Sequence, residues 1–297
     1  MRGLRRTAAA SWLEVCRWRT DYRVWMVFVL EAALVVRSMA GLGIYGILKG
    51  TKTTPWLLPL LFGDASVARD SVKIMIYLGV TVLFCNAPFI SHLTPSILLR
   101  TKRAGWVRGE ICYIFLGSAL FLLFLSLLSL LCVLPTASLS QLWGSSLYRL
   151  SNGDGVERIL FIHALPLPRG LMEQIYPGYA FAYTWITGWL SFSFLGLLTM
   201  AVNMGAGRQG PGTVLAGMLV LLDPVVGWIV SWGPDQARWY LFSPVSWTSM
   251  EHLQGVEGGS SLTFVYAAVM YLLFAALLIF FICRKAKTME IEIGRTT

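Results

Sequence analysis

The chain has 297 residues, of which 56% are apolar and only 13% charged, with a mean hydropathy of +0.66 and a net charge of +9. A water-soluble domain runs nearer half apolar and a quarter charged, so the surplus apolar surface belongs in a membrane. The positive balance does not point to nucleic acid, because no groove-reading module is present and the basic residues gather at the ends of apolar stretches, beside anionic headgroups.

Residues 1–23 carry six arginines and two acids. Trp12, Val15 and Cys16 fall at helical spacing, and Tyr22 roughly extends that side. The segment reads as a cytoplasmic, interfacial helix with arginines toward lipid phosphates. Span one follows at 24–48. It is too long for a signal peptide, and Arg37 sits where a cleavage site belongs, so it is expected to remain uncleaved.

Span one holds Glu31 and Arg37. They are six residues apart, about 600° round a helix, so they do not share a face. The loop 49–73 contains an apolar patch, PWLLPLLFG, too short to cross. Span two is expected at 74–90, with Pro88 marking its exit. A compact basic loop, 91–110, precedes span three at 111–134. A long loop, 135–178, is rich in Gly, Pro and Ser. Span four is 179–202. A Gly-rich turn leads to span five at 213–232, interrupted by Asp223-Pro224. A half-apolar loop precedes span six at 263–283, and 284–297 forms a tail.

About 20 apolar residues are needed to cross a bilayer as a helix. Six such stretches predict an all-α, polytopic membrane protein of one membrane domain. Lysine and arginine counts set its orientation. The N-terminus, loop 91–110, the turn at 203–212 and the tail together carry 15, and the three other loops carry 8. Both termini are therefore expected in the cytoplasm. No internal repeat supports an inverted-repeat carrier.

Few motifs for chemistry are present. No GxxxxGK[ST] phosphate loop, HExxH or GxSxG occurs, so no enzyme is expected. The five cysteines lack ligand spacing and read as buried, small hydrophobes. The three histidines fall in separate places, and no metal centre is expected. Asp223, an acid in the middle of a span, is a functional candidate by default. It either satisfies a Pro-interrupted helix or pairs with Arg37, or it lines a cargo or proton path.

The loop 91–110 mixes apolar side chains with basic ones, a pattern suited to docking on an acidic partner surface. Four segments, LLPLLFGD, FCNAPFI, ILLRTKRAGWVRGEICYIFLGS and LFSPVSW, occur in an order that resembles permease subunits of ATP-binding-cassette exporters of the type-two class. The resemblance implies six spans, an N-terminal interfacial helix, a coupling helix between spans two and three, and an extracellular re-entrant region before span six. It places coupling to an ATPase on Leu93, Ile97, Leu98, Arg100, Lys102, Arg103, Trp106 and Arg108. It implies a bacterial half-transporter in the cytoplasmic membrane, with a second permease as homo- or heterodimer. ATP and Mg would be held by a separate ATPase chain, with no cofactor on this one and only lipids as further partners. The rival expectations are an ion-coupled secondary transporter and a membrane sensor or immunity protein.

Overall fold

The computed structural model describes residues 11–63, 72–90, 94–139, 142–151, 169–253 and 262–288. Regular structure among them is helical, apart from two isolated bridges. Helix α1 covers 11–17. It is followed by α2 (Tyr22–Lys49), α3 (Leu58–Leu61), α4 (Val72–Leu83), α5 (Thr94–Val133), α6 (Ser145–Ser151) and α7 (Arg169–Gln174). Then come α8 (Pro177–Ala206), α9 (Pro211–Val230), a run of 3₁₀ turns over 234–252, and α10 (Phe264–Thr288).

Five helices, in α2, α5, α8, α9 and α10, are long and apolar enough to cross a membrane. Each overlaps an expected span. Local chemistry explains their ends. Asp21 caps α2, its side chain accepting from the Arg23 N–H, and Gly50 ends it in the left-handed region, φ 60°, closing on Gly46 and Ile47 carbonyls. Such caps satisfy backbone groups that a helix terminus leaves open.

The expected second span is only partly realised. α4 stops at Leu83, short of the expected end at 90. Turns replace the helix over 84–89. The carbonyls released there are taken by side chains from the α8–α9 turn. Thr213 donates to Cys85 O, Gln209 to Asn86 O, and Asn203 to Ala87 O at 2.6 Å. Tertiary donors thus replace the helical ones.

The expected loop before span three is also different. α5 is one helix of 40 residues, about 60 Å long, so 94–110 is an extension of the span and not a separate loop. Pro95 stands in its first turn, where a missing N–H costs nothing. Leu, Arg and Lys that follow are good helix formers. Span five runs without interruption through Asp223 and Pro224.

α8 is the central helix. In its most apolar window 72% is buried, against 17% for α9 and α10. It packs on α10, α9, α5 and α4. Its interface is made of small residues, among them Thr184, Gly188, Ser191, Ser193, Gly196 and Thr199, all buried. Small side chains let helices approach closely in lipid, where apolar burial supplies little drive between them. Thr187 and Thr199 return their hydroxyls to the carbonyls of Tyr183 and Leu195, so they present no unpaired proton.

Contacts gather the connecting segments at two ends. At one end, Thr53 N donates to Thr136 O and Thr54 N to Trp143 O, while Trp143 Nε1 donates to Ile175 O. At the other, Arg23 reaches Asn86, Trp18 reaches Tyr113 and Arg103 reaches Lys287 O.

The cysteines are not the buried groups expected. All five are free, and Cys16, Cys112 and Cys283 are exposed. Cys112 and Cys283 lie on helices that cross, where an outward face meets lipid and a thiol serves as a small apolar group.

Candidate functional site at a buried ion pair

α4 contributes to a buried ion pair. Its first turn carries Lys73, wholly buried. Lys73 Nζ lies 2.7 Å from Asp223 Oδ2 on α9 and donates to Ser249 Oγ at 2.9 Å. Ser249 Oγ in turn donates to Phe62 O at 2.8 Å. The other carboxylate oxygen, Asp223 Oδ1, accepts from Ser243 Oγ at 3.0 Å and from Ser246 Oγ.

Three serines of the 3₁₀ segment therefore surround one ion pair. One turn further along α4, the Tyr77 hydroxyl is 2.8 Å from Ser191 Oγ and 3.1 Å from Thr248 Oγ1. Tyr183 donates to Trp247 O at 2.6 Å, and Tyr271 donates to Pro244 O. Irregular backbone is tolerated at this depth only when protein groups take its carbonyls and N–H groups. Here tyrosines of α8 and α10 do so, while α4 and α9 supply the charges. Trp247, Ser246, Thr248 and Ser249 are all buried. The 3₁₀ segment enters the bundle beside the N-terminal half of α4.

The pairing corrects one expectation. Asp223 is partnered by Lys73 and two serines, not by Arg37. Arg37 lies on the exposed face of α2. The carboxylate is fully engaged, which favours a structural role over a path-lining one. Removing one partner of a buried pair leaves an uncompensated charge, so the two residues depend on each other.

Glu31 occupies a different place. It is 4% exposed, and Oε2 has no hydrogen-bond partner. Its Oε1 fills the space beside Gly79 of α4, 2.1 Å from where a Cβ would stand. A side chain at position 79 would therefore make the Glu31 carboxyl shift. A second buried acid, Glu110, also keeps one oxygen without a hydrogen bond.

The expected coupling residues divide. Leu93 lies outside the described residues, and for Ile97, Leu98, Arg100 and Lys102 only the helical backbone is described. Arg103 and Arg108 are exposed, and Leu99 is 89% exposed. Leu99 and Arg103 stand four apart on one face of α5. Trp106, by contrast, is buried at 3%, so it anchors α5 to the bundle and offers no apolar group to a partner.

Two residues here carry no signal of their own in the sequence. Lys73 follows Asp70 and Ser71 in what reads as a solvated loop. Asn203 sits in a polar Gly-rich turn, yet it is buried, with Nδ2 on Ala87 O and Oδ1 accepting from Gly212 N at 2.8 Å. Only an anomalous polar residue at the edge of an apolar run hints at either. Asn203→Leu is expected to strand a buried carbonyl and a buried N–H. At about 1–3 kcal/mol each, the thermal midpoint in detergent should fall clearly below that of the parent chain.

Among the described residues, no group of three or more His, Cys, Asp or Glu is arranged to hold a metal ion. The chain matches no protein-family model, no curated protein and no solved structure.

Proposed function

We propose that this membrane-embedded chain is the permease subunit of an ATP-driven exporter, coupled to a separate ATPase subunit. The observation that carries this reading is the extension of α5. A helix that crosses the membrane continues through a basic stretch and presents Leu99 and Arg103 on an exposed face. An apolar group beside a guanidinium suits a groove with an acidic rim. A rigid helical continuation also transmits a push at its tip to the span itself.

Two further features support the same reading. A helix at 11–17 precedes the first span. A 3₁₀ segment whose second half is buried precedes the last one, as a re-entrant region would. In this reading the membrane is the cytoplasmic one and both termini are inside. The path forms between two permeases, ATP and Mg reside on the ATPase, and closure of that subunit shifts the path between two exposures. The outward direction rests on the sequence resemblance alone.

The test is purification of the full chain in mild detergent from its host, with identification of stoichiometric partners and an ATPase assay. Combined Arg100→Glu, Lys102→Glu and Arg103→Glu should reduce the recovered ATPase at least about tenfold, since each reversed pair adds repulsion to a lost attraction. The permease itself should accumulate as before. Unchanged co-purification and unchanged ATP turnover would remove the docking assignment. A chain that purifies with no ATPase at all would favour an ion-coupled carrier, for which buried Glu31, with an unbonded oxygen, is the group to examine.

A further inference from the structure

Where α2 enters the membrane, two cavities adjoin. The first, of about 350 Å³, is polar, with Glu14, Arg17, Asp21, Arg23, Asn86 and Gln209 in its wall. The second, of about 360 Å³, is a groove on the outer face of α2. Trp25, Phe28, Val29 and Ala32 line it at the i, i+3, i+4, i+7 spacing of one helical stripe, and Phe124 of α5 closes it. Trp18 and Val24 belong to both walls. Arg19 also lines the groove.

We propose that these joined cavities bind one phospholipid with a phosphoethanolamine headgroup, its amine in the polar cavity and an acyl chain along the α2 groove. The charge pattern selects the headgroup. Among the described residues, the wall of the polar cavity carries two carboxylates and two guanidiniums, so a bare anion gains no net attraction from them, whereas a dipolar headgroup meets both signs. Glu14 is already paired with Arg17 at 2.8 Å. Asp21 gives Oδ1 to the Arg23 N–H at 3.0 Å and keeps a second oxygen for an ammonium. Arg23 is tethered through Nη1 to Asn86 at 2.9 Å and through Nε to Tyr22. Arg23 lines the polar cavity, and its remaining N–H groups meet the phosphate.

The location fits a lipid. Trp25 is 58% exposed and Val29 63% exposed, and tryptophan concentrates at the membrane interface. A primary ammonium donates three hydrogen bonds and a quaternary one donates none. The site therefore prefers phosphatidylethanolamine over phosphatidylcholine as well as over phosphatidylglycerol. This assignment is independent of the exporter reading.

The test is native mass spectrometry of the full chain, loaded with an equimolar mixture of these three lipids. Phosphatidylethanolamine should be retained about tenfold over each of the others, the size of one charge-assisted hydrogen bond. Asp21→Asn keeps the helix cap, because Asn caps as well as Asp, and should bring the three lipids close to parity. Ala32→Trp fills the groove and should lower retention of all three. Phosphatidylglycerol held as well as phosphatidylethanolamine by the parent chain would overturn the proposal, as would an unaltered preference in Asp21→Asn. If Ala32→Trp does not accumulate, Asp21→Asn decides the matter.

Discussion

Asp223→Ala is expected to be the most destabilising single change in the protein. It removes a carboxylate paired with wholly buried Lys73 and leaves Ser243 and Ser246 without their common acceptor. Breaking one side of a buried pair costs about 3–5 kcal/mol. The thermal midpoint in detergent should drop steeply, and protease sensitivity should appear within 234–252, the segment the pair holds. Asp223→Asn retains an acceptor for the serines but not the charge, and should fall between the two. The decisive comparison is the double variant Lys73→Met with Asp223→Leu. Replacing both charges by apolar groups of similar volume removes the desolvation cost together with the attraction, so much of the loss should be recovered. A double variant no better than Asp223→Ala would show that the serines, not the ammonium, anchor the segment. Normal stability in Asp223→Ala would refute the structural role outright.

Gly43→Leu is expected to separate α2 from α5. A Cβ at position 43 would lie 2.2 Å from the backbone carbonyl oxygen of Cys132. Backbone cannot swing aside as a side chain does, so the helices must move apart along their length. Overpacking typically costs about 1–3 kcal/mol, and this case belongs at the upper end because no rotamer relieves it. The displacement would also disturb Gly46, which packs on Thr136 one turn away. Gly217→Ala is the control. Nothing lies within 4 Å of its Cβ position on α9, and alanine is the better helix former by about 1 kcal/mol. It should be neutral or slightly stabilising. Thermal unfolding of both variants, each reconstituted in the same detergent, checks the pair. Equal stability would mean that α2 and α5 do not pack at position 43.

The two predictions concern features of opposite legibility. Asp223 stands out in the sequence, because an acid within an apolar run has no solvent to face. Its partner does not. Lys73 is 150 residues away in the chain and is preceded by polar residues, so by local pattern it is a solvated charge in a loop. Only the packing of α4 against α9 turns it into a buried counter-ion. Gly43 likewise lies in GLGIYG, where several glycines look alike. Which of them touches a neighbouring backbone depends on how α2 is rotated, and that is set by α5.

The same limit appears at α4. An apolar run such as 74–90 reads as a span by composition. Whether it stays helical depends on who supplies hydrogen bonds at its end. Asn203, Gln209 and Thr213 take the carbonyls of 85–88, so unwinding there leaves none of these three stranded. At α5 the opposite occurred. A basic stretch that reads as a connecting loop continues as helix, because nothing between Pro95 and Pro135 interrupts it and its residues favour helix.

Composition and periodicity by themselves determined that the protein is membrane-embedded and helical, and where five of its long helices lie. Those properties follow from the transfer of single residues between water and lipid, which is a sum over local sequence. The tertiary structure alone decided the pairing of Lys73 with Asp223, the entry of the 3₁₀ segment into the bundle, the truncation of α4 and the joined cavities beside α2. Each of these depends on polar groups from distant parts of the chain meeting in a medium that offers no water to replace them.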